Sequence, residues 1–131
     1  MYSSKLLRAS SQVLGSYARA FSSKEISING TARLIRLKVD GEANAMKAQD
    51  LMFKAHQEMK KHVKGYVGST RYVCKAEWDM YLFLRFANLD SLKAFMGSDV
   101  KEKKIEPIIV ELQAIALGGK TNSQNFVADD W

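Results

Sequence analysis

Apolar residues recur along the chain with two different periods. In Thr31–Val39 the bases Arg33, Arg36 and Lys38 are interleaved with Leu34, Ile35, Leu37 and Val39, which predicts a strand with one apolar face. Asp40-Gly41-Glu42 supplies a turn. From Ala43 to Val63 the period lengthens, and Ala45, Ala48, Met52, Ala55, Met59 and Val63 mark one side of a long helix. Lys60, Lys61 and Lys64 gather at its C-terminal end, where cations complement the helix dipole, and Gly65 stops it. Two strands follow, Tyr66–Lys75 and Asp79–Ala87, around a turn at Ala76-Glu77-Trp78. Asn88 or Asp90 caps a second helix, Leu89–Met96, with Leu89, Leu92, Phe95 and Met96 on its apolar side. Asp99–Glu106 reads as a further short helical piece, and Pro107–Leu117 reads as the last strand.

This order is β-α-β-β-α-β. Right-handed crossovers make it a ferredoxin-like α+β domain: an antiparallel four-stranded sheet with both helices on one face. The domain is expected over residues 31–117. A leader (1–24), a linker (25–30) and a polar C-terminal tail (118–131) flank it. The tail carries Phe126 and Trp131, which suit the aromatic anchors of a docking peptide.

Strand Met80–Phe86 is apolar on both faces. Met80, Leu82, Leu84 and Phe86 point one way, and Tyr81, Phe83 and Arg85 the other. One set packs under the helices. The other forms a patch that calls for a cover: a partner surface (a second copy of the chain or another protein), a ligand or a nucleobase. Arg36, Arg85, Glu111 and Gln113 are polar residues inside otherwise apolar segments. Strand alternation makes Glu111 the expected partner of Arg85 in a covered ion pair, with Arg36 nearby; the alternative is a cavity site for an acidic small molecule.

Charge changes the picture at the N-terminus. The chain carries 20 Lys and Arg against 14 Asp and Glu, but Lys5, Arg8, Arg19 and Lys24 all fall in the first 24 residues, which hold no acid. The remainder has 16 bases against 14 acids, a poor footprint for nonspecific nucleic-acid binding. On a helix, residues 5–21 place Leu7, Leu14, Tyr17, Ala18 and Phe21 opposite Lys5, Arg8 and Arg19, with serines between. A basic, serine-rich, acid-free amphipathic segment is the pattern of an organelle transit peptide. Arg19-Ala20-Phe21-Ser22 resembles a mitochondrial processing site, which implies cleavage nearby and a matrix location. No apolar run approaches the length that spans a bilayer.

Candidate chemistry is sparse. Cys74 is the only cysteine, which excludes an intramolecular disulfide and a cysteine-based metal cluster; it reads as a buried thiol. His56 borders the apolar face of the long helix and His62 lies nearer the opposite edge. Six residues apart, they lack the spacing of a helical metal pair. Both read as ordinary histidines, with haem ligation by His56 as the sharper alternative. Met46, Met52, Met59, Met80 and Met96 read as core filler. Gly118-Gly119-Lys120-Thr121 lacks the spacing of a phosphate-binding loop. No metal site, flavin motif or nucleotide motif emerges, and no cofactor is expected.

Gly65-Tyr66-Val67-Gly68 resembles the entry to the second strand of antibiotic-biosynthesis-monooxygenase-like domains. Tyr81-Leu82-Phe83-Leu84-Arg85-Phe86 followed by Ser91-Leu92-Lys93-Ala94-Phe95-Met96-Gly97-Ser98 resembles their third strand and second helix. The resemblance implies a dimeric α+β barrel, with two sheets packed face to face. Phe95 stands where many members carry a histidine, and Leu84 where many carry a glutamate. These replacements favour a non-catalytic mitochondrial scaffold or accessory subunit, binding partners through the open sheet face and the tail. A small cofactor-independent monooxygenase or haem-associated enzyme is the second expectation. The third is an RNA-binding module, because the Tyr81–Phe86 run also resembles the core of an RNA-recognition motif. Asp79-Met80 and Leu82 depart from that motif.

Overall fold

The computed structural model describes residue 26 and residues 29–129. The segment expected to act as a transit peptide, with Arg8, Arg19 and Phe21, lies outside the described residues, as does Trp131. Strands and helices follow in the order β1 (Gly30–Lys38), α1 (Glu42–His62), β2 (Tyr66–Cys74), β3 (Asp79–Phe86), α2 (Leu89–Met96), α3 (Glu106–Ile115) and β4 (Asn122–Ala128). The sheet order is β2-β3-β1-β4 with every neighbouring pair antiparallel. That is the ferredoxin-like arrangement expected from the order of elements.

The helices supply one core against one sheet face. Ile35 and Leu37 of β1 and Met80, Leu82, Leu84 and Phe86 of β3 meet Ala48, Met52, Ala55 and Met59 of α1, Leu92 and Phe95 of α2, and Ile108 and Leu112 of α3. Asn88 caps α2, its side chain accepting from the Ser91 amide at 2.9 Å. Between α1 and β2 the chain turns through Gly65 at φ 86°. A Cβ there would lie 2.2 Å from the Ser91 hydroxyl, so the turn requires glycine on two counts.

The last strand is not where the apolar run predicted it. Residues Glu106–Ile115 form α3, entered through a π-helical turn at Lys101–Ile105 and with Pro107 in its first turn. Ile105, Ile108, Ile109 and Leu112 are buried, a helical period that the alternation of Val110, Glu111 and Leu112 concealed. The fourth strand is β4, formed by residues assigned to the polar tail. All seven of its residues are exposed, and pairing with β1 alone defines it. The domain therefore runs through residue 128 rather than ending at residue 117. Cys74 is exposed, and Met46 is 54% exposed, so neither is a core residue.

The Arg85–Glu111 pair does not form. Arg85 is exposed on β3, and Glu111 is exposed on α3, behind the opposite face of the sheet. Gln113, also on α3, donates from Nε2 to the Thr121 hydroxyl at 3.4 Å. Arg36 has a partner that sequence spacing did not suggest. Its Nε and Nη2 donate to the two carboxylate oxygens of Asp79 at 3.0 and 2.7 Å. Register explains the pairing: Arg36 lies opposite Tyr81 and Lys38 opposite Asp79, which makes Arg36 and Asp79 diagonal neighbours on the open face.

Candidate functional site

Two surfaces offer chemistry, a pocket under α1 and the open face of the sheet. The pocket depends on an irregularity in β2. Regular alternation would put Tyr66, Gly68 and Thr70 on one face. The pairing with β3 instead shifts register between Tyr66 and Gly68, so Tyr66 lies opposite Phe86, Ser69 opposite Leu84 and Arg71 opposite Leu82. Phe86, Leu84 and Leu82 all face the helices, so the bulge turns Tyr66, Ser69 and Arg71 toward α1 together. Val67 is the extra residue, 54% exposed.

Helix α1 meets this edge with the stripe beside its core face. Asp50, Phe53 and His56 follow one another at helical spacing. His56 Nδ1 lies 2.6 Å from the Tyr66 hydroxyl and 3.1 Å from the Ser69 hydroxyl. The imidazole is bracketed by rings, with Phe53 at 5.9 Å and Tyr66 at 5.6 Å between centroids. Burial raises the Tyr66 phenol above its ordinary value, against the hydrogen bond with Ser69 and the nearby charge of Arg85, which both lower it. The phenol is therefore protonated at neutral pH. The tautomer assigns the roles. With the proton on Nδ1, the ring donates to Tyr66 or Ser69 and keeps a basic lone pair on Nε2.

His56 and Ser69 line a pocket of about 480 Å³ with Met52, Phe53 and Leu82 as apolar wall and Gln49, Asp50 and Arg71 as further polar residues; Tyr66 touches it through its hydrogen bond to His56. The pocket's size and mixed lining suit a small organic molecule. His56 was legible as a residue bordering the apolar face of α1. Tyr66 and Ser69 were not recognised as its partners, because the bulge that brings them to the same face leaves no mark in strand periodicity. The residues expected to decide catalysis, Phe95 and Leu84, are 2% and 0% exposed in the core, so their identities say nothing about this pocket. Among the described residues, no group of three or more His, Cys, Asp or Glu could hold a metal ion.

The open face carries Arg36, Tyr81, Phe83 and Arg85, as expected, and also Tyr72 and Phe126. Tyr72, Phe83 and Phe126 form an aromatic row across the sheet, each neighbouring pair 6.1 Å apart between centroids. The Tyr81 hydroxyl donates to Asp79 at 3.1 Å, and the Arg36 guanidinium lies 4.9 Å from the centre of the Tyr81 ring. Arg85 extends over Gly68, where a Cβ would come within 2.8 Å of its guanidinium. Phe126 thus belongs to the sheet rather than to a free tail.

No family model and no curated protein sequence matches the chain. Solved structures do. A monooxygenase from the gene ActVA-Orf6 of Streptomyces coelicolor, in complex with nanaomycin D, superposes with a TM-score of 0.61 at 16% identity, covering 78% of this chain and 89% of that one. SnoaB, a cofactor-independent oxygenase from Streptomyces nogalater, gives 0.60 at 12% identity over 79% and 96%. A Caulobacter crescentus protein provisionally assigned as an antibiotic biosynthesis monooxygenase gives 0.58 at 16% over 78% and 92%. The chain has the antibiotic-biosynthesis-monooxygenase fold. At these identities the likeness is one of fold, and function rests on the site. Within this fold the pocket lies between α1 and the bulged edge strand, and the aromatic row lies on the face away from the helices.

Proposed function

We propose that the protein is a small cofactor-independent monooxygenase acting on an electron-rich phenolic or enolic substrate in the pocket between α1 and β2. The observation that carries this reading is that His56, hydrogen-bonded to Tyr66 and Ser69, lines a pocket with Met52, Phe53 and Leu82 as its apolar wall. The description of SnoaB as a cofactor-independent oxygenase supports the reaction class. In such chemistry the substrate itself reduces dioxygen. His56 takes the proton of a substrate hydroxyl or acidic methylene, which raises the electron density of the ring. Tyr66 and Ser69 hold the imidazole in position. For a methylene, the balance is CH₂ and O₂ in, a carbonyl and water out, with all the electrons coming from the substrate.

A second copy of the chain covers the open face in this proposal, because the row Tyr72–Phe83–Phe126 leaves Tyr72 60% and Phe126 38% exposed. The basic amphipathic leader supports a mitochondrial setting. A scaffold role is the second reading, favoured by the same aromatic row, and the two part at the pocket.

The test is oxygen uptake by the purified protein with hydroquinones, naphthols and anthrone-type tricyclic methylenes, without added metal or flavin. Uptake above the spontaneous rate for at least one class is expected, and its loss in His56→Ala. Uptake at the spontaneous rate for every class would favour the scaffold.

A further inference from the structure

Resting on the pocket assigned above, we infer that Arg71 is a specificity-determining residue that selects substrates bearing a carboxylate away from the reacting hydroxyl. Three observations support this. Arg71 lines the same pocket as His56 and Ser69, and the register places it on the same face of β2 as Ser69. Two residues along a strand separate their backbones by about 7 Å, so the guanidinium and the His56 group address different parts of one ligand. Among the described residues Arg71 has no carboxylate within ion-pair distance, although Arg36, Lys38 and Lys101 each hold one. An exposed guanidinium at the mouth of an apolar-walled pocket, with no carboxylate partner among the described residues, is suited to bind a carboxylate in a bidentate manner.

Asp50 is the one acid among the residues that line this pocket. It also lines the neighbouring groove between α1 and α3, with Lys47, Leu51 and Ile115. It therefore stands on the ridge between two depressions, with Lys47 one turn away on the same helix. The side of the pocket formed by β2 is left with Arg71 as its charge. The ligand that fits is a flat aromatic body against Met52, Phe53 and Leu82, with a hydroxyl toward His56 and a carboxylate toward Arg71.

The test compares 6-hydroxy-2-naphthoate with 2-naphthol, which share the ring and hydroxyl and differ in the carboxylate. Binding to the full chain is followed by ligand fluorescence and by amide chemical shifts at Ser69 and Arg71, with no turnover required. The wild-type protein is expected to bind the acid about tenfold or more tightly than the naphthol, a preference consistent with one charge-assisted contact. Arg71→Gln should abolish that preference by weakening the acid more than the naphthol, and Arg71→Lys should restore part of it. Equal binding of the two compounds by wild type, or an undiminished preference in Arg71→Gln, would overturn the role of Arg71 and leave the pocket standing. Failure of both compounds to perturb the Ser69 and Arg71 amides would overturn the pocket itself.

Discussion

His56 on α1 and Tyr66 on β2 share a hydrogen bond of 2.6 Å across the junction of helix and sheet. The bond joins a residue with a basic nitrogen to a phenol that burial keeps protonated. It exists because a bulge turns Tyr66 and Ser69 to the same face of an edge strand. If His56 is the base, Tyr66→Phe should lower kcat by less than His56→Ala does, because Ser69 still reaches Nδ1 at 3.1 Å. The histidine substitution should cost about 10²–10⁴ in rate, the usual range for a general base. Steady-state oxygen uptake by the two variants checks the order.

The Arg36–Asp79 pair predicts an acid limb in stability. Hydrogen bonding from Arg36, then from Tyr81, outweighs burial and holds the Asp79 carboxyl below its ordinary 3.8. The folded value is below the unfolded one. The contribution is therefore present above the unfolded value and is lost as pH falls through the folded value. Urea midpoints measured from about pH 7 down to about pH 3 should fall more steeply for wild type than for Asp79→Asn. Equal slopes would show that the pair contributes nothing in solution.

Helix α3 makes a prediction that a strand in its place would not. Ile108 and Leu112 are 2% and 0% exposed, whereas Val110 is 62% exposed. Ile108→Ala and Leu112→Ala should each cost about 2–5 kcal/mol. Val110→Ala should stay within about 0.5 kcal/mol. Under strand alternation Ile108, Val110 and Leu112 would share a face, and all three would matter equally. Denaturant unfolding of the three variants separates the two patterns.

Much of the fold was legible because β1, β3 and the first two helices carry their burial in their own periodicity. Ile35 to Val39 alternates, and Ala45 to Met59 repeats at helical spacing. Two elements hid for opposite physical reasons. The apolar stretch of α3 is dense enough to satisfy either period over a few residues, and Pro107 suits the start of a strand or of a helix. Strand β4 buries no side chain, so nothing in its composition distinguishes it from a polar tail. The site was legible one residue at a time. His56, Tyr66, Arg36 and Asp79 are each visible in the chain, but their pairing depends on register and on one bulge, which periodicity does not encode.

The aromatic row gives a prediction about assembly. Phe83 sits between Tyr72 and Phe126, at the middle of the open face. Phe83→Asp would place a charge at the centre of the proposed contact between two copies. Light scattering should report a dimer for wild type and a monomer for the variant, with unchanged circular dichroism. A wild-type monomer at micromolar concentration would remove the second copy from the account.

Targeting can be tested apart from the fold. Arg8→Glu with Arg19→Glu keeps the length of the leader and reverses its basic side. Import into isolated mitochondria should be lost, and mass spectrometry of the imported wild-type chain should find its N-terminus between Phe21 and Lys24. Unimpaired import of the double variant would contradict the transit segment.

Labelling with oxygen-18 gas tests the oxygenase reading most directly. The purified chain, dialysed against chelator, is incubated with an electron-rich phenol or anthrone-type substrate from the oxygen-uptake panel under ¹⁸O₂, beside His56→Ala and a protein-free control. The account predicts product carrying one ¹⁸O atom, formed faster with wild-type protein than with either control. Product formed at the same rate in all three vessels, or product whose new oxygen comes from water, would contradict it.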